Sequence, residues 1–300
     1  MNSPLKENTV IIICGSTAAG KTSFAINLAT QLQTEIISAD SRQCFKELNI
    51  GVAKPSVQQL NEVKHYFINS HSIFDEVNAA VFEQYALHVA NEIFKKHKIA
   101  VMVGGTGLYI KAFCEGLDEI PAVDETVRQQ VNEMYEQNGL AHLQTELALK
   151  DPEFWQQAEQ QNTQRLMRAM EVLLSTGQSI TAFQKGKKED RPFNIIKIGL
   201  EVPRQQLYDQ INRRVDEMIE KGLVDEVRSL EPYQNLNALQ TVGYREIFDY
   251  LNNQISLPDA INRIKTNTRH YAKRQLTWFK KDKDIQWRSP SDFSIKSLLL

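Results

Sequence analysis

Val10-Ile11-Ile12-Ile13-Cys14-Gly15-Ser16-Thr17-Ala18-Ala19-Gly20-Lys21-Thr22 decides the fold of this chain. An apolar, largely β-branched run leads into G-x-x-x-x-G-K-T and then into helical spacing. The gap between Gly15 and Gly20 lets successive backbone N–H groups wrap an anion, Lys21 adds a point charge, and the Thr22 hydroxyl can reach a Mg²⁺. A helix beginning near Lys21 directs its partial positive charge at the same anion. The plainer alternative is a glycine-rich turn that merely joins strand to helix. Constrained positions framed by a strand before and a helix after weigh against it.

Working outward, 300 residues can hold one large domain or two. A net charge of −2 excludes a protein coated in positive charge but leaves room for a local basic face that binds nucleic acid. Cys14, Cys44 and Cys114 stand singly, which points to neither a disulfide framework nor a zinc site. A short polar stretch from Met1 to Asn8, and no apolar run of spanning length, predict a cytoplasmic protein without a membrane partner.

After the cradle, Ser23–Gln33 has the apolar spacing of a helix and Glu35–Ser38 reads as a strand ending at Asp40. In an open parallel sheet ligands sit beyond the carboxyl ends of strands, so Asp40 is expected near the cradle, either in chemistry or as a cap for the following turn. His65–Ser72 suggests another short strand, and 78–98 a long helix with apolar residues at Val81, Phe82, Tyr85, Val89 and Ile93. Ile99–Val103 then runs into Gly104-Gly105-Thr106-Gly107-Leu108-Tyr109. Glycines at a strand end permit an approach that a Cβ would obstruct, making this turn a second candidate ligand rim, or a plain tight turn.

From about Leu117 Gln becomes abundant, β-branched residues thin out and helical spacing persists, with breaks at Gly139, Pro152 and Gly177. This reads as an inserted helical domain over 118–192 between two parts, 1–117 and 193–300, of an α/β core. Within it Arg165 and Arg168 share one helix face while Leu166, Met170 and Leu173 lie on another; the arginine face is functional or simply solvated. Phe193–Val202 returns to the sheet and a helix from Pro203 to Lys221 follows. The last long helix, about 258–281, interleaves Arg269, Lys273, Arg274, Lys280 and Lys281 with His270, Tyr271, Trp278 and Phe279. That pattern fits cations on phosphates and rings on bases, or a solvated helix with a buried aromatic stripe. The predicted fold class is α/β, a P-loop NTPase-like parallel sheet flanked by helices, with the helical insertion.

The cradle alone permits a P-loop small-molecule kinase. However, Ile99–Val103 ends in Gly-Gly-Thr and not in a metal-binding Asp, whereas Asp40 suits group transfer onto a nucleophile that must lose a proton. A non-catalytic RNA-binding protein is a further alternative, set against the intact Lys21 and Thr22. Several motifs occur together in a familiar order: Gly15–Thr22, Asp40-Ser41-Arg42-Gln43, Ile50-Gly51-Val52-Ala53-Lys54-Pro55, Gly104–Tyr109, Gln164-Arg165-Leu166-Met167-Arg168, Gly243-Tyr244-Arg245 and Lys273-Arg274-Gln275-Leu276-Thr277-Trp278. Across nearly the whole chain this resembles the tRNA dimethylallyltransferase family. Ser16, Ala19, Phe45, Asn69, Asn162 and Gln210 depart from the common family pattern.

The resemblance implies transfer of a dimethylallyl group from dimethylallyl diphosphate to N6 of adenosine 37, just 3′ of the anticodon, in tRNAs reading codons that start with U. The products are N6-dimethylallyladenosine and diphosphate. It further implies that the backbone of Gly15, Ser16, Thr17, Ala18, Ala19, Gly20, Lys21 and Thr22, with Arg214, holds the diphosphate, and that Thr22 holds a Mg²⁺ cofactor. By the same resemblance Asp40 is the general base or orients N6, and Thr106 lies at the reacting centre. The tRNA anticodon stem-loop would meet Asp40, Ser41, Arg42 and Gln43 along the path of the target base. Arg128, Gln164, Arg165, Leu166, Met167 and Arg168 would meet it from the insertion, and Gln240, Thr241, Val242, Gly243, Tyr244, Arg245, Lys273, Arg274 and Lys280 from the core. A monomer is expected.

Overall fold

The computed structural model describes residues 7–186 and 188–290; the leader through residue 6, Lys187 of the basic turn and residues 291–300 lie outside the described residues. In chain order the elements are β1 (Thr9–Gly15), α1 (Lys21–Gln31), β2 (Ile36–Ala39), α2 (Val57–Glu62), β3 (His65–Tyr66), α3 (Ala79–Phe94), β4 (Ile99–Gly104) and α4 (Gly107–Glu115). Then come α5 (Glu125–Lys150), α6 (Pro152–Gln157), α7 (Thr163–Thr176), β5 (Asn194–Leu200), α8 (Arg204–Glu220), α9 (Leu223–Ser229), α10 (Tyr244–Leu251), α11 (Leu257–Phe279) and β6 (Ile285–Arg288). The chain divides into two compact units, Met1–Cys114 with Asp190–Leu300, and Glu115–Glu189.

The first unit is organised by one sheet, all parallel, in the order β3-β2-β4-β1-β5-β6. A parallel sheet must be covered on both faces, and the period-two alternation of strand side chains decides what covers each. Val10, Ile12 and Cys14 of β1 enter the core shared with Phe82 and Ala86 of α3, Ile247 and Phe248 of α10 and Ile264 of α11. Ile11 and Ile13 enter the opposite core with Ala25, Ile26, Leu28 and Ala29 of α1. Central β1 pairs with β4 on one side and β5 on the other, and Ala39 of β2 stands opposite Gly104 of β4. The carboxyl ends of β1, β4 and β2 therefore lie side by side, which is where a ligand crevice forms in such a sheet.

β3 is shorter than the expected His65–Ser72, because Phe67 and Asn69 take φ of 61° and 53° and cannot continue a strand. β6, four residues on the edge beside β5, was not foreseen; IQWR is too short for its alternation to stand out. Helix limits follow local chemistry. Gly20 at φ 82° opens α1, Asn78 accepts from Ala80 and Val81 N–H to cap α3, and Ser256 caps α11.

The second unit has its own apolar centre, including Val131, Leu143, Leu147, Phe154, Leu166 and Met170. Gly139, at φ 72°, breaks α5, as its position in the helical spacing suggests. Asp151 caps α6 by accepting from Phe154 N–H at 3.1 Å, and Asn162 caps α7 through Arg165 N–H at 3.2 Å. Among the described residues no helix is long and apolar enough to cross a membrane.

Candidate active site

The cradle is shaped by backbone conformation. Gly15 takes φ 136°, with Leu200 O only 2.6 Å from where a Cβ would sit; Ala18 takes φ 62°. Lys21, first residue of α1, is half-buried and donates from Nζ to Ser16 O at 2.6 Å, closing the loop on itself. Withdrawal from water and the neighbouring Arg214 lower the Lys21 ammonium to about 8, with Asp40 acting in the opposite sense. Arg214, from α8, donates to Thr17 Oγ1 at 3.2 Å, and its guanidinium is also supported by Asp40. Lys21, Arg214 and Asp40 thus share one field although 174 to 193 positions separate Arg214 from the other two.

Asp40 follows β2 directly. Its Oδ1 accepts from Arg42 N–H at 2.9 Å and Gln43 N–H at 3.2 Å, so the capping reading of this residue holds. Both bonds go to one oxygen, which leaves Oδ2 to meet an incoming donor. Thr106 stitches the neighbouring strand ends: its N–H donates to Ala39 O at 3.2 Å and its Oγ1 accepts from Ser41 N–H at 3.1 Å. Gln43 donates from Nε2 to Val52 O and Ala53 O at 3.2 and 3.1 Å, tying the Ile50–Pro55 loop to the turn after Asp40. Arg42 donates to Asn237 Oδ1 at 3.3 Å.

The glycines of the second turn have a different basis from the one their sequence suggested. A Cβ on Gly104 would fall 2.1 Å from Ala39 O, one on Gly105 2.2 Å from Gln275 Nε2, and one on Gly107 2.2 Å from the Trp278 ring. What a Cβ would obstruct here is the chain itself. Within the cradle, Thr17 N–H does not stay open for an anion: it donates to Gln275 Oε1 at 2.7 Å.

The expected RNA contacts separate into exposed and internal residues. On α11, Lys273 and Arg274 are exposed and, with His270, Thr277, Trp278 and Lys281, line a groove of about 440 Å³. Lys280 points elsewhere, in an ion pair with Glu201 at 2.7 Å. Gln240 and Arg245 are exposed, and Thr241 and Val242 half-buried. Tyr244 is a correction: it is fully buried, donates to Glu226 Oε1 at 2.6 Å and occupies the space a Cβ on Gly51 would need, so its side chain supports the fold and does not face RNA. Gly243 is likewise buried, at φ 100°, and donates to Glu246.

In the helical unit Gln164 and Arg165 are exposed and Met167 half-buried, while Leu166 is fully buried in the apolar centre. Arg168 is held by Glu171 at 3.1 Å and Pro121 O at 3.4 Å, and Arg128 lies 3.8 Å from Glu125. Arg165 is thus the more available of the expected arginine pair. Sequence reasoning gave no role to Glu226, which also accepts from the N–H groups of Asn49, Ile50 and Gly51, while Gln275 belongs to the Lys273–Trp278 motif, whose stretch through Lys280 the resemblance turns toward RNA, and is buried instead. Beyond that motif, the signal that Gln275 turns inward was a polar residue at an inward position of α11.

Residues 43–282 match the family model described as IPP transferase. The chain is 49% identical over 280 residues to a tRNA dimethylallyltransferase of Christiangramia forsetii, covering 93% of each. Among solved structures it is similar to the full-length tRNA isopentenylpyrophosphate transferase of Bacillus halodurans, with 34% identity, coverage of 98% of this chain and 93% of that one, and a TM-score of 0.69. A eukaryotic dimethylallyltransferase acting on tRNA matches at 25% identity, covering 95% of this chain and 74% of its own, with a TM-score of 0.78.

Proposed function

The chain belongs to the IPP transferase family, and on that premise we propose that it is a tRNA dimethylallyltransferase. It transfers the dimethylallyl group of dimethylallyl diphosphate to N6 of adenosine 37. The observation that carries this reading is the meeting of a cationic cradle with a carboxylate across adjacent strand ends: Lys21 and Arg214 on one side, Asp40 and Thr106 on the other.

The order of events follows from charge. As the allylic C–O bond breaks, negative charge builds on the departing diphosphate. Lys21, Arg214 and the remaining cradle N–H groups stabilise it. The exocyclic amine of adenine is a poor nucleophile, since its lone pair is delocalised into the ring. Asp40 Oδ2 accepts the N6 proton as the C–N bond forms, an effect worth about 10²–10⁴-fold. Thr106 and Ser41 hold the turn that aims Asp40. A base inside a stacked loop cannot reach this crevice, so adenosine 37 is extruded.

The residues fit Mg²⁺ as cofactor. The Thr22 hydroxyl is half-buried at the start of α1 and, among the described residues, bonds to no protein group, while no cluster of His, Cys, Asp or Glu forms a dedicated cage there. That suits a cation which takes few protein ligands and completes its shell with water and phosphate oxygens. Bound there, it neutralises charge on the leaving diphosphate. The exposed cations Lys273, Arg274, Arg245 and Arg165 contact the anticodon stem-loop. We read the site of action as the cytoplasm, where that RNA lies, and the working form as a monomer. The test is a filter assay with radiolabelled dimethylallyl diphosphate and unmodified tRNA carrying adenosine at positions 36 to 38. Mg²⁺-dependent label on the RNA is expected; its absence rejects the reading.

A further inference from the structure

Among the described residues Gln275 is one of few polar residues that are buried, at 6% exposure, and both ends of its amide are committed. Oε1 accepts from Thr17 N–H in the cradle at 2.7 Å; Nε2 donates to Gly105 O at 2.9 Å in the turn that carries Thr106. A backbone donor on one side and a backbone carbonyl on the other fix which way the amide points. The chain is shaped to admit it: Gly105 lacks the Cβ that would stand 2.2 Å from Nε2. One turn further along α11, Trp278 lies on Gly107. The same helix therefore touches the residue before Thr106 and the residue after it, and reaches the cradle with one side chain.

We propose that Gln275 is a positioning residue that sets the separation between the diphosphate cradle and the turn bearing Thr106. This rests on the reading of the cradle as the leaving-group site. The reaction needs the allylic carbon to face N6 while its oxygen departs into the cradle, and the two halves of that geometry come from different strand ends. A displacement of about 1 Å between reacting groups costs about 10²-fold in rate. Thr17 is held twice, through its N–H by Gln275 and through its hydroxyl by Arg214. Removing Gln275 leaves Thr17 held only through its hydroxyl by Arg214 and takes from Gly105 O its donor.

The test uses the full chain with Gln275→Met, which keeps the length of the side chain and removes both bonds, and Gln275→Glu. Hydrogen exchange should show faster exchange of the amide at Thr17 in Gln275→Met, by tenfold or more, with β1 unchanged. In steady-state prenyl transfer kcat should fall 30- to 100-fold while KM for dimethylallyl diphosphate and for tRNA stays within threefold. Gln275→Glu should recover toward low pH relative to wild type, since a protonated carboxyl can again accept from Thr17 and donate to Gly105, which a loss of fold would not reproduce. Unchanged exchange at Thr17 overturns the clip itself, whatever the enzyme does. Faster exchange with kcat within threefold of wild type overturns its role in positioning. A wild-type protein that transfers no prenyl group rejects the function and leaves the exchange result to decide the clip. A variant too unstable to purify is replaced by Gln275→Asn, which is too short to bridge and is expected to give the same exchange and kcat changes.

Discussion

Two glycine-rich turns stand at neighbouring strand ends, and they use glycine for different reasons. In Gly15–Thr22 the backbone conformation requires it, at φ 136° for Gly15 and 82° for Gly20; Gly20 has nothing within 4 Å of its missing Cβ, and only at Gly15, where Leu200 O closes in, does packing add to conformation. In Gly104–Tyr109 Gly104, Gly105 and Gly107 are required because Ala39, Gln275 and Trp278 already occupy the space. The first turn keeps room for a ligand; the second is filled by the chain and serves to hold Thr106. A glycine motif at a strand end is thus a conformational or a packing requirement, and only neighbours distant in sequence tell which.

The largest expected effect tests whether chemistry sits where the turns meet. Asp40→Ala should cut turnover by about 10²-fold or more and leave tRNA binding within a few-fold; near-normal turnover in a prenyl-transfer assay removes Asp40 as the base. Next, the two turns should respond differently to the same methyl group. Gly104→Ala should cost about 3 kcal/mol of stability, since its Cβ meets backbone, and Gly20→Ala about 1 kcal/mol from backbone strain alone. Equal losses in denaturant melts would erase the distinction.

A smaller effect concerns the charge of the open turn. The Lys21 ammonium releases its proton near 8 in the folded protein against 10.5 unfolded. Between those values the unfolded chain binds more protons, so Lys21 adds stability as pH rises, while the charge offered to an anion disappears. Inorganic pyrophosphate affinity, read by calorimetry, should fall above pH 8 by up to about tenfold per unit in wild type. It should fall less in Lys21→Arg, whose guanidinium stays charged. The smallest effect lies in the helical unit. Arg165→Ala should weaken tRNA binding a few-fold and flatten its salt slope by about 0.7 to 0.9. Arg168→Ala, tied to Glu171 and Pro121, should change that slope less; equal slopes for the two would return Arg168 to the RNA-facing set.

Much of the core was legible because its signals are local. β1, the cradle and α1 follow from contiguous residues, and the period-two alternation of β1 already divides its side chains between two cores. Asp40 was legible from its place at a strand end, including its alternative as a cap, which the structure bears out with both backbone bonds on Oδ1. β6 was hidden by its brevity. The resemblance turns Tyr244 toward RNA, and its Gly-Tyr-Arg string carries no mark of burial to set against that; Glu226, the partner that draws its hydroxyl inward, lies 18 positions earlier on another helix.

The sequence by itself determined that a glycine-rich G-x-x-x-x-G-K-T loop follows the first strand, that a carboxylate ends the next one, and that helices interrupt an α/β core. These depend on steric and hydrogen-bonding preferences acting over a few residues. Only the tertiary structure decided which cradle amide is taken, which glycines are packing sites and which cations remain exposed. Those outcomes rest on contacts such as Thr17 with Gln275, separated by 258 positions, which the chain makes only once the sheet has brought its strand ends beside α11.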